Sequence, residues 1–234
     1  MTILTVIQDA WQRLGIADDL PGAVVVSNDT TVKILVALAR QEGRELAARA
    51  PWQALTKEQT ITTTATEEQT GAIPSDFGRM IPGTVWNYTK NQPVWGPLTP
   101  EEWQERKASL VGPPDLHYRV RGDAFLILPT PPADEEIRFE YISKWWIDTD
   151  GDGDGDAADW GADSNTMLLD EELITLGLMW RWLKRNRMPF DAEFQDYQTQ
   201  VSQAIGRDGG RRSADFGATA RRRFALIQDG SWAV

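Results

Sequence analysis

Acidic side chains spaced closely enough to bind a cation are concentrated in one run, Asp148-Thr149-Asp150-Gly151-Asp152-Gly153-Asp154-Gly155-Asp156-Ala157-Ala158-Asp159. Read as a twelve-residue calcium loop, it has Asp at positions 1, 3 and 5, the turn glycine at 6, Asp at 9 and an acid at 12. Hard oxygen ligands at that spacing can wrap one Ca²⁺. The candidate ligands are Asp148, Asp150, Asp152, Asp154 and Asp159. Two features depart from the pattern: Asp159 is shorter than the bidentate Glu usual at position 12, and Gly155 stands where an apolar anchor is expected. No helix enters the loop either, because Trp145-Trp146-Ile147 reads as strand. The alternative is a solvated Gly/Asp-rich linker, and both readings stand at this point.

Other candidates are weaker. His117 is the single histidine, and it alternates with its neighbours on an expected strand. No second His, no Cys and no G-x-S-x-G turn accompanies it, so neither a metal site nor a nucleophile–base pair is built around it. The acidic pairs Glu101/Glu102, Glu135/Glu136 and Glu171/Glu172 fall in helix first turns or loops, where solvated capping is the usual role. No glycine loop opens a helix to cradle phosphate; Gly206 to Gly210 closes one. Eleven Trp are present. Trp145, Trp146 and Trp160 lie near the acidic run, and Trp86 and Trp95 near a Pro/Gly-rich turn. Such rings make sugar platforms less often than core or interface anchors. No credible active site emerges, and the expectation is a non-enzyme that needs no organic cofactor.

The elements that would position these residues follow from periodicity. Residues 3–15 read as an amphipathic helix with Thr2 as N-cap, and Asn28 or Asp29 caps a longer helix reaching about Arg49, which Pro51 stops. From 54 to 146 the period changes to two. Thr60–Thr64, His117–Arg121, Ala124–Leu128 and Glu136–Ser143 alternate, with Arg121-Gly122-Asp123 as a hairpin turn. Thr99-Pro100-Glu101-Glu102 is a capping box opening one short helix. Helical spacing returns at Leu168, with Asn165 or Thr166 as cap, and a last helix follows Pro189. The expected fold is therefore α+β: a four-helix core from residues 1–52 and 166–208, a β-rich insertion over 53–147, the acidic loop 148–165, and an extended arm over 209–234.

The chain has 234 residues, 41% hydrophobic and 25% charged, ordinary for a soluble globular protein, and it has no Cys. Its start has no basic region and reaches Asp9 early, unlike a secretory signal, and no run approaches the roughly 18 apolar residues of a membrane span. A soluble, cytoplasmically made protein is expected. The net charge of −11 disfavours nucleic-acid binding by the body. From Arg207 onward the sign reverses, with six Arg against three Asp. Arg211, Arg212, Arg221, Arg222, Arg223, Phe224 and Trp232 are the expected docking residues of this arm, toward an acidic partner surface rather than DNA.

Three segments, ILVALARQEGRELAARAPWQALTKEQTITT (34–63), VWNYTKNQPVWGPLTPEEWQERKA (85–108) and LLDEELITLGLMWRWLKRNRMPFDAEFQDYQ (168–198), resemble in content and order the head-to-tail adaptors of tailed bacteriophages, including the tail tubular protein A type of short-tailed phages. The resemblance implies a structural virion protein, assembled in the host cytoplasm, that forms a ring beneath the portal and carries the tail. A dodecamer, contacts with portal and with a tail or nozzle protein, DNA passing through the lumen without specific binding, and no membrane contact are all expected from it. A C-terminal arm reaching the portal is implied as well. A calcium-dependent, carbohydrate-binding module is the rival expectation, built from the Trp-rich β segment and the Asp loop.

Overall fold

The computed structural model describes residues 2–109 and 115–209. The chain begins with α1 (Ile3–Arg13), whose N-cap Thr2 accepts the N–H of Thr5, and α2 (Thr30–Arg49), capped by Asp29 through the N–H groups of Thr31 and Val32. Strands β1 (Thr56–Thr62), β2 (Glu68–Gln69), β3 (Phe77–Met80), β4 (Trp86–Asn87) and β5 (Gln92–Pro93) follow, then α3 (Pro100–Ala108), which opens on the expected capping box. After β6 (His117–Arg121), β7 (Ala124–Leu128), β8 (Glu136–Ser143), β9 (Ile147–Asp148) and β10 (Thr166–Met167), the described chain closes with α4 (Glu171–Arg185) and α5 (Asp191–Asp208).

All strand pairs are antiparallel. The eight-residue β8 is the spine of the larger sheet: β1 runs along one edge, while β4 and β3 share the other, each covering a different part of its length. β2, β7 and β6 form a second sheet, with Gly122-Asp123 turning the β6–β7 hairpin as its sequence predicts. The rings Tyr118, Phe125 and Phe139 stack between the sheets at centroid distances of 5.3–5.6 Å and Tyr141 meets Phe139 edge-on at 6.3 Å, forming one core with Ile61, Val85, Val94 and Ile137.

A second core takes apolar faces from α1, α2, α4 and α5. It is not made of helices alone, because Ile142, Trp146, Ile147, Trp160 and Met167 are buried in it as well. Two mid-helix glycines set how closely its parts approach. A Cβ on Gly43 of α2 would lie 2.0 Å from the Trp146 ring, and one on Gly177 of α4 would lie 2.3 Å from the Glu42 carboxyl carbon. Glycine in a helix costs about 1 kcal/mol relative to Ala; here the missing side chain is the space another residue occupies. Beside it the buried Glu42 accepts hydrogen bonds from Arg181 (2.6 Å) and Tyr197 (2.5 Å), tying α2 to α4 and α5.

Two boundaries differ from expectation. α4 starts at Glu171 with Asp170 as its cap, not at Leu168 with Asn165 or Thr166. Thr166 and Met167 are drawn into pairing with Ile147 and Asp148, and Asn165 instead accepts the N–H groups of Gly161 and Ala162. Nor does the strand over 136–143 run on through the tryptophans: it stops at Ser143, and pairing resumes only at Ile147. No helix among the described residues is long and apolar enough to cross a membrane.

Candidate functional site

The acidic run leaves the short β9–β10 ladder at Asp148, which is 5% exposed. Both its carboxylate oxygens accept backbone N–H groups, from Gly151 at 2.6 Å and Gly153 at 3.0 Å. Gly151 and Gly153 have φ of +85° and +88°, left-handed values that glycine adopts at little cost. The Gly-x-Gly spacing thus folds the loop back over Asp148. The Gly151 amide above all, with that of Gly153, holds the Asp148 carboxyl below its usual pKa. Asp148, Asp150 and Asp152 each present a carboxylate oxygen, and these lie within 4.8 Å of one another.

The other two candidate ligands point elsewhere. Asp159 forms ion pairs with Arg40 (2.8 Å) and Arg44 (3.1 Å) of α2, and Asp154 pairs with Lys57 of β1 at 2.9 Å. Lys57 also donates to the Gly155 carbonyl (2.9 Å) and approaches buried Asp76 at 3.5 Å, so one ammonium ties the loop to the sheet. Gly155 stands where an apolar anchor was expected because a Cβ there would lie 2.2 Å from the Trp145 carbonyl. Asp156 accepts from the Thr149 hydroxyl at 2.6 Å. The five acids therefore divide into a cluster of three and two held by cations of the body, an arrangement decided by α2 and β1, far away in sequence.

Two of the three tryptophans near the loop are unavailable as a platform, while Trp145 is half-buried. Trp146 and Trp160 are 1% and 2% exposed and meet edge to face at 4.6 Å inside the helical core. Trp95 and Tyr88 are the large rings of the β region most open to solvent among the described residues. His117 is buried, its Nδ1 lies 2.9 Å from the Asp115 carbonyl, and burial lowers its pKa. No hydroxyl nucleophile is hydrogen-bonded to it among the described residues. Glu135 corrects the expectation of a solvated pair: it is buried, accepting from Asn87 and paired with Lys90. Its partner Glu136 is held by Arg138 at 2.6 Å, and Glu172 by Arg13. These carboxylates are spent on cross-links within the fold.

The proposed docking residues Arg211, Arg212, Arg221, Arg222, Arg223, Phe224 and Trp232 lie outside the described residues. Within them is a surface feature that periodicity did not reveal, a cleft of about 370 Å³ between α2, β3 and the end of β8. Ala47, Ile142 and Trp146 supply its apolar lining; Arg44, Arg79 and Lys144 stand around it as exposed cations. Its members come from four separated stretches, the last contributing Ala158, so no local pattern signals it.

A profile of the SU10 adaptor protein family matches residues 1–223, nearly the whole sequence. No curated protein matches the chain. A match of that extent takes in both cores and the acidic loop rather than a single motif, and the fold beneath it spends its ionisable groups on structure. The chain belongs to the SU10 adaptor protein family of phage head-to-tail adaptors, and it is a structural component of the virion.

Proposed function

We propose that this adaptor works as a ring, a dodecamer, seated beneath the portal of a short-tailed phage. One face receives the portal, the other the tail or nozzle protein, and DNA crosses the lumen without specific contacts. The observation that carries the reading is the family match over residues 1–223. The charge distribution supports it: an acidic body lets DNA slide, since like charge keeps phosphate from sticking. The sign reversal after Arg207, with Phe216, Phe224, Leu226, Ile227 and Trp232 among the arginines, supplies apolar anchors and cations for an acidic groove on the portal. The test is the mass of the complex with purified portal, for the full chain and for a chain ending at Asp208. Twelve copies on the portal and loss of docking on truncation are expected; equal docking by the shortened chain excludes the arm as connector.

Calcium at the acidic loop is a second proposal, favoured by the convergence of Asp148, Asp150 and Asp152. Calorimetric titration should give saturable Ca²⁺ binding that Asp148→Ala and Asp152→Ala abolish. Binding unchanged in those variants leaves a loop closed by its own hydrogen bonds. In either case, a calcium-dependent sugar module is disfavoured by the burial of Trp146 and Trp160.

A further inference from the structure

The connection between α1 and α2 is unusually apolar for a surface loop. Of the five large hydrophobic side chains exposed among the described residues, Leu20 (46%) and Val26 (79%) lie on it. It is nonetheless held in place. The Trp11 indole N–H donates to the Asp18 carbonyl at 3.1 Å, and the Gln8 amide donates to the Pro21 carbonyl at 2.8 Å. Between these two pins stand Asp18, Asp19 and Leu20, all exposed, and neither carboxylate has an ion-pair partner among the described residues. The result is a preformed knob, one leucine beside two negative charges.

The cleft beside α2 has the opposite character. Its lining is apolar and its surrounding charges are Arg44, Arg79 and Lys144. Arg44 is partly engaged by Asp159 at 3.1 Å, whereas the Arg79 and Lys144 side chains have no ion-pair partner among the described residues. Unpaired cations converging on an apolar recess are unexpected in a chain of net charge −11. The loop contributes nothing to the recess of its own chain, which α2, β3, the end of β8, the segment just after it and Ala158 line.

We propose that the cleft of one copy receives the Asp18-Asp19-Leu20 knob of the next. Leucine enters the apolar recess, and the two aspartates face Arg79 and Lys144. Because two different patches meet, the contact is heterologous and repeats around a closed ring. It rests on the ring reading and names the subunit joint within it. The Arg-rich stretch from Arg211 to Arg223 is a poorer occupant, since it would bring cations to cations.

The chain has no Cys, so introduced thiols report without background. Leu20→Cys and Ala48→Cys both alter exposed positions, the second at the cleft. Mixed at high concentration and oxidised, the two single variants should give a heterodimer, and neither alone should give a homodimer. Asp18→Lys with Asp19→Lys should lower that yield about tenfold, and Arg79→Asp with Lys144→Asp in the partner should restore it. No heterodimer, a Leu20→Cys homodimer, or no charge dependence overturns the joint. So does Ala48→Cys linking instead to Trp232→Cys, which would assign the cleft to the chain's own C-terminal segment. The ring itself is judged separately, by stoichiometry on purified portal, and survives if copies assemble without this cross-link.

Discussion

Replacing Glu42 by Met should be among the most damaging single changes in the helical core, although Glu42 has no place in any active site. Its side chain is fully buried and accepts from the Arg181 guanidinium at 2.6 Å and the Tyr197 hydroxyl. Arg181 is 10% exposed, so losing Glu42 takes away a buried partner of that charge and leaves the Tyr197 hydroxyl, which still accepts from Arg49 at 3.4 Å, without an acceptor for its own proton. Removing one member of a buried pair costs about 3–5 kcal/mol. Arg181 keeps a second partner, Glu45 at 2.6 Å, which is 55% exposed, so the lower end applies. A loss of about 3 kcal/mol at a urea slope of about 2 kcal/mol per molar moves the midpoint down by about 1.5 M. The double variant Glu42→Met with Arg181→Met removes both charges and leaves apolar groups of similar length. Its loss should be smaller than that of Glu42→Met alone, since apolar replacement of a whole buried pair is often neutral. Urea unfolding of the two singles and the double completes the cycle. If the double loses the sum of the singles within about 0.5 kcal/mol, the groups do not act as a unit and the reasoning fails.

Gly43→Ala should destabilise by about 1–3 kcal/mol in thermal unfolding, despite Ala's better helix propensity, because its Cβ meets the Trp146 ring. A rise in Tm would refute that packing. Asp148 has its pKa held below 3.8 by the Gly151 and Gly153 amides, so its contribution is full above that value and disappears as pH falls through the folded pKa. Amide exchange at Gly151 and Gly153 should therefore accelerate in acid, after correction for intrinsic rates, and Asp148→Asn should remove the dependence; protection that ignores pH excludes the amide cradle. His117 has the same sign: burial keeps its folded pKa under 6.5, the unfolded chain binds the proton first, and stability falls as pH drops below 6.5. His117→Gln should flatten the change in urea midpoint between pH 7.5 and 5.5, and an unaltered slope would assign it to other groups.

Some of this protein was written locally. The capping box at Thr99, the N-cap Thr2, a cap at Asn28 or Asp29 that the structure gives to Asp29, the turn at Gly122-Asp123 and the change from helical to alternating periodicity are short-range choices between backbone states, and local sequence largely suffices for them. The family, too, was legible in the order of three packing segments. The tertiary structure decided what lay between distant stretches. Asp154 and Asp159 look like their neighbours along the chain, yet Lys57, Arg40 and Arg44 claim them. Thr166 could cap a helix by type, but pairing with Asp148 makes it a strand residue. Gly43 and Gly177 lie in helices like any weak residue until Trp146 and Glu42 fill the space beside them. In each case the local residue type is compatible with more than one role, and contacts many residues away, from exposed ion pairs worth at most about 1 kcal/mol to close packing, chose among them.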